Sequence, residues 1–74
     1  MTTELDTSGL ECPLPILKAK KALSTMEAGE EIVVTATDPS TMKDFPDYCS
    51  NARHALLEAG ELDGVFRFRI RKSG

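Results

Sequence analysis

Residues 65–71 read Val-Phe-Arg-Phe-Arg-Ile-Arg, and this alternation limits the architecture more than any other stretch. Successive strand side chains point to opposite faces, so Phe66, Phe68 and Ile70 share one face and Arg67, Arg69 and Arg71 the other. A sheet holding this strand can be covered on the phenylalanine side only. The arginine side faces water, which predicts two layers and not three. Asp63-Gly64 just before it is a two-residue hairpin signal and supplies an antiparallel neighbour. That neighbour is placed at 60–63, as a short edge strand.

Taken in order, the chain supplies the remaining elements. Residues 1–3 are expected to fray, and Glu4 to Thr7 to form a short strand with Leu5 inward. Gly9 allows a turn. A helix from about Pro13 to Met26 carries Leu14, Leu17, Leu23 and Met26 as apolar positions, with Lys18, Lys20 and Lys21 between them. Gly29 suits a left-handed turn after it. Glu31 to Thr37 is rich in β-branched residues and reads as a strand. A second helix is placed at about Phe45 to Glu58, with a first turn at 40–44 and a break near Pro46. Cys49, Ala52 and Leu56 would line its inner side.

The order is therefore β-α-β-α-β-β. Right-handed crossovers stepping the same way put both helices on one face of a mixed four-stranded sheet. Seventy-four residues suffice for one small domain spanning 1–74. In this α/β (α+β) two-layer sandwich, both helix starts lie at the carboxyl ends of the first two strands, the edge where open sheets place ligands. Cys12 and the Asp38-Pro39 turn should meet there.

Gly9-Leu10-Glu11-Cys12-Pro13-Leu14-Pro15 is the stretch that carries chemistry. Pro is favoured at the first helical position, so Pro13 at N1 would set Cys12 at the N-cap, its thiol facing the positive helix end. That effect is mild. A helix terminus contributes roughly 0.3–1 kcal/mol, Pro13 and Pro15 carry no N–H, and Glu11 opposes it. The free amides expected near sulfur are those of Leu14 and Ile16. The competing reading is a structural cysteine packed under the helix.

Heavier chemistry lacks its partners. His54, the single histidine, falls late in the second helix and away from that edge. The position that would complete a C-x-x-C is Pro15. Cys49 is either core or a resolving thiol for Cys12. Cys49 and His54 would diverge by about 140° on a helix, a poor pair for metal. Asp38 is either a turn cap or a partner contact. Lys18 and Lys21 are a solvated helix face or partner contacts, and Arg67, Arg69 and Arg71 a solvated strand face or a docking stripe for an acidic partner or RNA. A net charge of −3 argues against nonspecific nucleic-acid binding. The start lacks a basic-then-apolar signal, and no apolar run reaches membrane-spanning length. A cytoplasmic location with free thiols is therefore expected.

Leu5-Asp6, Gly9-Leu10, Cys12-Pro13-x-Pro15, Ala19-Lys20-Lys21-Ala22-Leu23, Gly29-Glu30, Asp38-Pro39, Lys43-Asp44-Phe45-Pro46 and Arg71-Lys72 together resemble the TusA family of small sulfur-carrier proteins, also called SirA or YhhP. The resemblance implies a βαβαββ sandwich like the C-terminal domain of translation initiation factor three. It implies a persulfide on Cys12, taken from a cysteine desulfurase or a rhodanese-type donor. The sulfur would pass to a DsrE/TusD-type acceptor, for tRNA 2-thiouridine synthesis or dissimilatory sulfur oxidation. The transfer needs no metal or organic cofactor, and the chain is expected to be a monomer. Gly9, Glu11, Pro13, Leu14 and Pro15 would support the site. No role carries over to Asp38 or Asp44. The family often has Gly-His in the second helix where Arg53-His54 stands here. The alternative functions are an interaction module or RNA-binding module in which Cys12 is structural.

Overall fold

The computed structural model describes residues 2–73. Its elements are β1 (Thr2–Thr7), α1 (Leu14–Ser24), β2 (Glu31–Ala36), α2 (Thr41–Ala52), β3 (Ala55–Leu62) and β4 (Val65–Arg71). The sheet order is β1-β2-β4-β3, with β1 and β2 parallel and β4 antiparallel to both of its neighbours. The second crossover passes over β4 to place β3 at the edge. The expected mixed four-stranded sandwich with two helices is the fold observed.

β4 lies at the centre of the packing. Phe66, Phe68 and Ile70 pair with Ala36, Val34 and Ile32 of β2, and all six are buried. Phe45 of α2 stacks on Phe68 with ring centroids 4.6 Å apart. Pro15, Ala19 and Leu23, at four-residue spacing, form the buried stripe of α1. On the open face Glu31 receives Arg69 Nε at 2.6 Å and an Arg71 guanidinium nitrogen at 3.4 Å, which holds its carboxyl below the usual range. Arg67 makes no ion pair among the described residues.

Several boundaries differ from expectation, each for a physical reason. Thr2 and Thr3 do not fray, because they pair with Glu31 and Ile32; Met1 lies outside the described residues. α1 begins and ends inside its expected span, since Thr25 N–H turns back to Ala22 and Met26 N–H to Leu23. Leu14 and Leu17 sit off the buried stripe and are 46% and 51% exposed.

The largest difference is in the second helix. Ser40 is its N-cap and Pro46 lies inside it, after the first turn. It stops at Arg53, whose φ of 61° is left-handed. Arg53 N–H donates to Ser50 and His54 N–H to Cys49, the Schellman pattern. Leu56 is therefore not on a helix but in β3, opposite Ile70. β3 spans eight residues instead of the expected short edge, with a bulge between Leu56 and Glu58. The Asp63-Gly64 hairpin is as expected, both residues having positive φ.

Candidate functional site

Residues 8–13 leave the carboxyl end of β1, and residues 37–40 leave that of β2. Because β1 and β2 are parallel neighbours, the two loops emerge side by side. Gly9, at φ +81°, donates its N–H to Thr37 Oγ1 at 2.8 Å. That left-handed φ is the conformation glycine adopts without a Cβ penalty.

Asp38 ties the loops together. Its Oδ2 accepts the Cys12 N–H at 2.6 Å. Its Oδ1 accepts the N–H and the hydroxyl of Ser40, each at 2.9 Å. Its carbonyl accepts the Thr41 N–H at 3.0 Å and the Thr41 hydroxyl at 2.6 Å. The Ser40 amide, the Cys12 amide and the Ser40 hydroxyl hold the Asp38 carboxyl below its ordinary value. Asp38 thus shapes the start of α2, as the turn-cap reading expects, and it also borders the cysteine.

Cys12 is exposed, as the motif suggested. It is not the N-cap of α1; Pro13 holds that place and Pro15 is the second helical residue. The Leu14 N–H expected near sulfur donates instead to the Glu11 carbonyl at 2.8 Å. Among the described residues no backbone N–H reaches Sγ. The Cys12 Sγ donates to Asp44 Oδ2 at 3.0 Å. The thiol pKa is raised, first by that hydrogen bond; Ser40 pulls the other way, and slight burial and the charges of Asp44 and Asp38 add to the rise. The mild lowering expected from a helix end is therefore overturned, because carboxylates stand where free amides were expected. Glu11 is not among the causes.

Around the sulfur lies an open depression, with Gly9–Cys12 on one side and Thr37–Pro39 on the other. Of the residues singled out from sequence, Gly9, Glu11, Cys12 and Asp38 line it. Pro13 and Pro15 set the helix start beside it. Leu14 is exposed in the first turn of α1, and Met42, 41% exposed, lies in the first turn of α2. Lys18 and Lys21 are exposed along α1, away from these loops. Arg67, Arg69 and Arg71 are on the uncovered sheet face and do not join the site.

Cys49 is 2% exposed in the core, and burial pushes its pKa up to about 11, so it is poorly placed to resolve a bond to Cys12. His54 follows α2, where its Nδ1 accepts the Ser73 N–H at 3.1 Å. Asp44, to which the resemblance carries no role, and Ser40, which no sequence motif marks, both belong to the site. The signal that could have found them was the topology itself, which sets the first turn of α2 beside the cysteine loop.

The family model described as Sulfurtransferase TusA matches residues 3–72. The sulfur carrier protein TusA of Allochromatium vinosum is 50% identical over 70 residues, covering 95% of this chain and 92% of that protein. A crystal structure of a SirA-like protein from Desulfitobacterium hafniense superposes with a TM-score of 0.83 at 28% identity, over 100% of both chains.

Proposed function

Because the chain belongs to the TusA family, we propose that it carries sulfane sulfur as a persulfide on Cys12 and relays it between proteins. The observation that carries this reading is the exposed Cys12 sulfur at a loop junction fixed by Asp38, with the other thiol buried. A relay needs a sulfur that two partners can reach in turn, and it needs no neighbouring thiol that would discharge the load as a disulfide.

The Cys12 thiolate attacks the outer sulfur of a donor persulfide. A sulfur–sulfur bond to Cys12 forms, the donor's own breaks, and the donor thiolate departs. An acceptor thiolate then attacks the outer sulfur on Cys12, and the Cys12 thiolate is the leaving group. Each exchange conserves electrons, so no redox cofactor or metal is required. The donor is a cysteine desulfurase or rhodanese-type protein, and the acceptor a DsrE/TusD-type relay protein. The sulfur goes on to tRNA thiolation or dissimilatory sulfur oxidation, in the cytoplasm. Among the described residues no helix is long and apolar enough to cross a membrane.

Gly9, Pro13 and Pro15 shape the presenting loop, and Glu11 and Leu14 meet the partner at its rim. Incubation with a cysteine desulfurase and cysteine, followed by intact mass measurement, tests the assignment. The chain should gain reductant-labile sulfur, Cys49→Ser should gain it too, and Cys12→Ser should not. Labile sulfur on Cys12→Ser would refute the reading. Wild-type partner binding and phenotype in Cys12→Ser would favour an interaction module with a structural cysteine.

A further inference from the structure

We propose that Asp44 distinguishes the empty carrier from the loaded one: its carboxylate holds the Cys12 S–H of the sulfur-free chain and cannot hold the persulfide. The inference rests on the carrier reading above. Its geometric basis is the contact of Cys12 Sγ with Asp44 Oδ2 at 3.0 Å, made across 32 residues of sequence by the first turn of α2.

A thiol in this position is a hydrogen-bond donor facing an acceptor-only group. Loading replaces the hydrogen with sulfur, at a bond length of about 2.0 Å. An outer sulfur placed along the Sγ-to-Oδ2 line would stand only about 1 Å from the oxygen. It must therefore point elsewhere, and the S–H···O contact ends. Charge acts in the same direction. A hydropersulfide is more acidic than its parent thiol, so the loaded group is an anion at neutral pH. It then faces Asp44 from α2 and Asp38 from the β2–α2 loop, with Glu11 beside it on its own loop. Among the described residues the Ser40 hydroxyl is the group that favours an anion, and its single hydrogen is donated to Asp38. The loaded sulfur is displaced from the Asp44 carboxylate toward the open depression bounded by Gly9–Cys12 and Thr37–Pro39, which Asp44 does not line.

Two consequences follow for the relay. The empty carrier keeps its thiol protonated, and so resists alkylating and oxidising reagents until a partner changes its surroundings. The loaded carrier offers its outer sulfur to an acceptor without a hydrogen bond to break. The same exposed site is closed to casual chemistry in one state and open in the other.

Iodoacetamide alkylation at neutral pH, read by mass, separates the two states when the chain is used empty and after loading from glutathione persulfide. Asp44→Asn should alkylate faster when empty, by at least about twofold even though a less basic thiolate is a weaker nucleophile. The alkylation rate of the loaded form should stay near wild type, because the perthiolate is already ionised. A second measurement needs no variant: the carboxyl carbon resonance of Asp44 in labelled wild-type protein should move on loading. Failure of the wild-type chain to take up sulfur would overturn the carrier reading and this proposal with it. Normal loading with an Asp44→Asn rate that is unchanged, or raised equally in both states, would overturn this proposal alone. So would an Asp44 resonance that ignores loading.

Discussion

The Asp38 carboxylate accepts the Cys12 amide hydrogen at 2.6 Å, across 26 residues of sequence. One side chain thereby fixes the backbone of the cysteine loop against the turn that starts α2. Four of the five hydrogen bonds that its carboxylate and carbonyl accept hold that turn, or the helix it begins, through the Ser40 and Thr41 donors, beside the one from Cys12. The position of the sulfur is thus set by β2 and α2 as much as by its own motif.

Asp38→Asn should slow sulfur loading several-fold while leaving the secondary structure intact, as judged by circular dichroism and the mass assay. The amide retains an acceptor oxygen but loses the charge that strengthens these bonds. A pH dependence follows with a definite sign. The folded Asp38 pKa lies below 3.8, so the carboxylate's contribution to stability is present above the unfolded value and is lost as pH falls through the folded one. Glu31, lowered from 4.5 by Arg69 and Arg71, behaves alike. Urea midpoints between neutral pH and about pH 3 should fall less steeply for Asp38→Asn than for wild type. Equal slopes would refute this assignment.

Arg53 holds a left-handed backbone at φ 61° with a side chain that disfavours it. A left-handed non-glycine residue costs roughly 1–2 kcal/mol, and glycine's extra unfolded freedom returns roughly 0.5–1 kcal/mol of that. Arg53→Gly should therefore stabilise the fold by about 0.5–1 kcal/mol, readable as a higher urea midpoint with an unchanged slope.

That residue also explains what could be read from sequence and what could not. The alternation of β4, the Asp63-Gly64 turn and the β-branched run of β2 are local signals, and each produced the element expected. The stop at Arg53 had no such signal, because nothing in arginine announces a left-handed residue. A helix read from the sequence therefore runs on across Leu56, and most of β3 carries no signal of its own. The same distinction holds at the site. Cys12 and its prolines are adjacent in sequence and were legible. Asp44 stands next to the sulfur only because two crossovers bring two helix starts to one edge. The thiol's raised pKa followed from that non-local carboxylate and opposed the helix-end argument, which used near neighbours alone.

Phe45 is fully buried and stacks on Phe68, joining α2 to the central strand one residue beyond Asp44. Phe45→Ala should cost about 3–5 kcal/mol through lost burial and the cavity left behind, a large share of the stability of so small a domain. Phe45→Leu should cost less and remain folded. Because α2 carries Asp44, Phe45→Leu should also weaken the placement of the carboxylate beside Cys12. Chemical denaturation measures the first effect, and the alkylation rate of the folded variant measures the second.

The two thiols should separate cleanly by reagent and pH. Cys12 is exposed, with a pKa above its ordinary 9.0, whereas Cys49 is buried and pushed up to about 11. In native protein at neutral pH, iodoacetamide should modify Cys12 slowly and Cys49 only after unfolding. Raising the pH through 9 should accelerate Cys12 long before Cys49. Cys49→Ser places a hydroxyl in an apolar setting beside Phe45 on α2, and it should destabilise by about 1–3 kcal/mol unless the hydroxyl finds a backbone acceptor. Cys49→Ala avoids that hydroxyl and should retain both the fold and the rate of Cys12 modification. A Cys49→Ala chain whose Cys12 reactivity changed markedly would mean that the two sulfurs communicate, contrary to the separation between core and loop junction seen here.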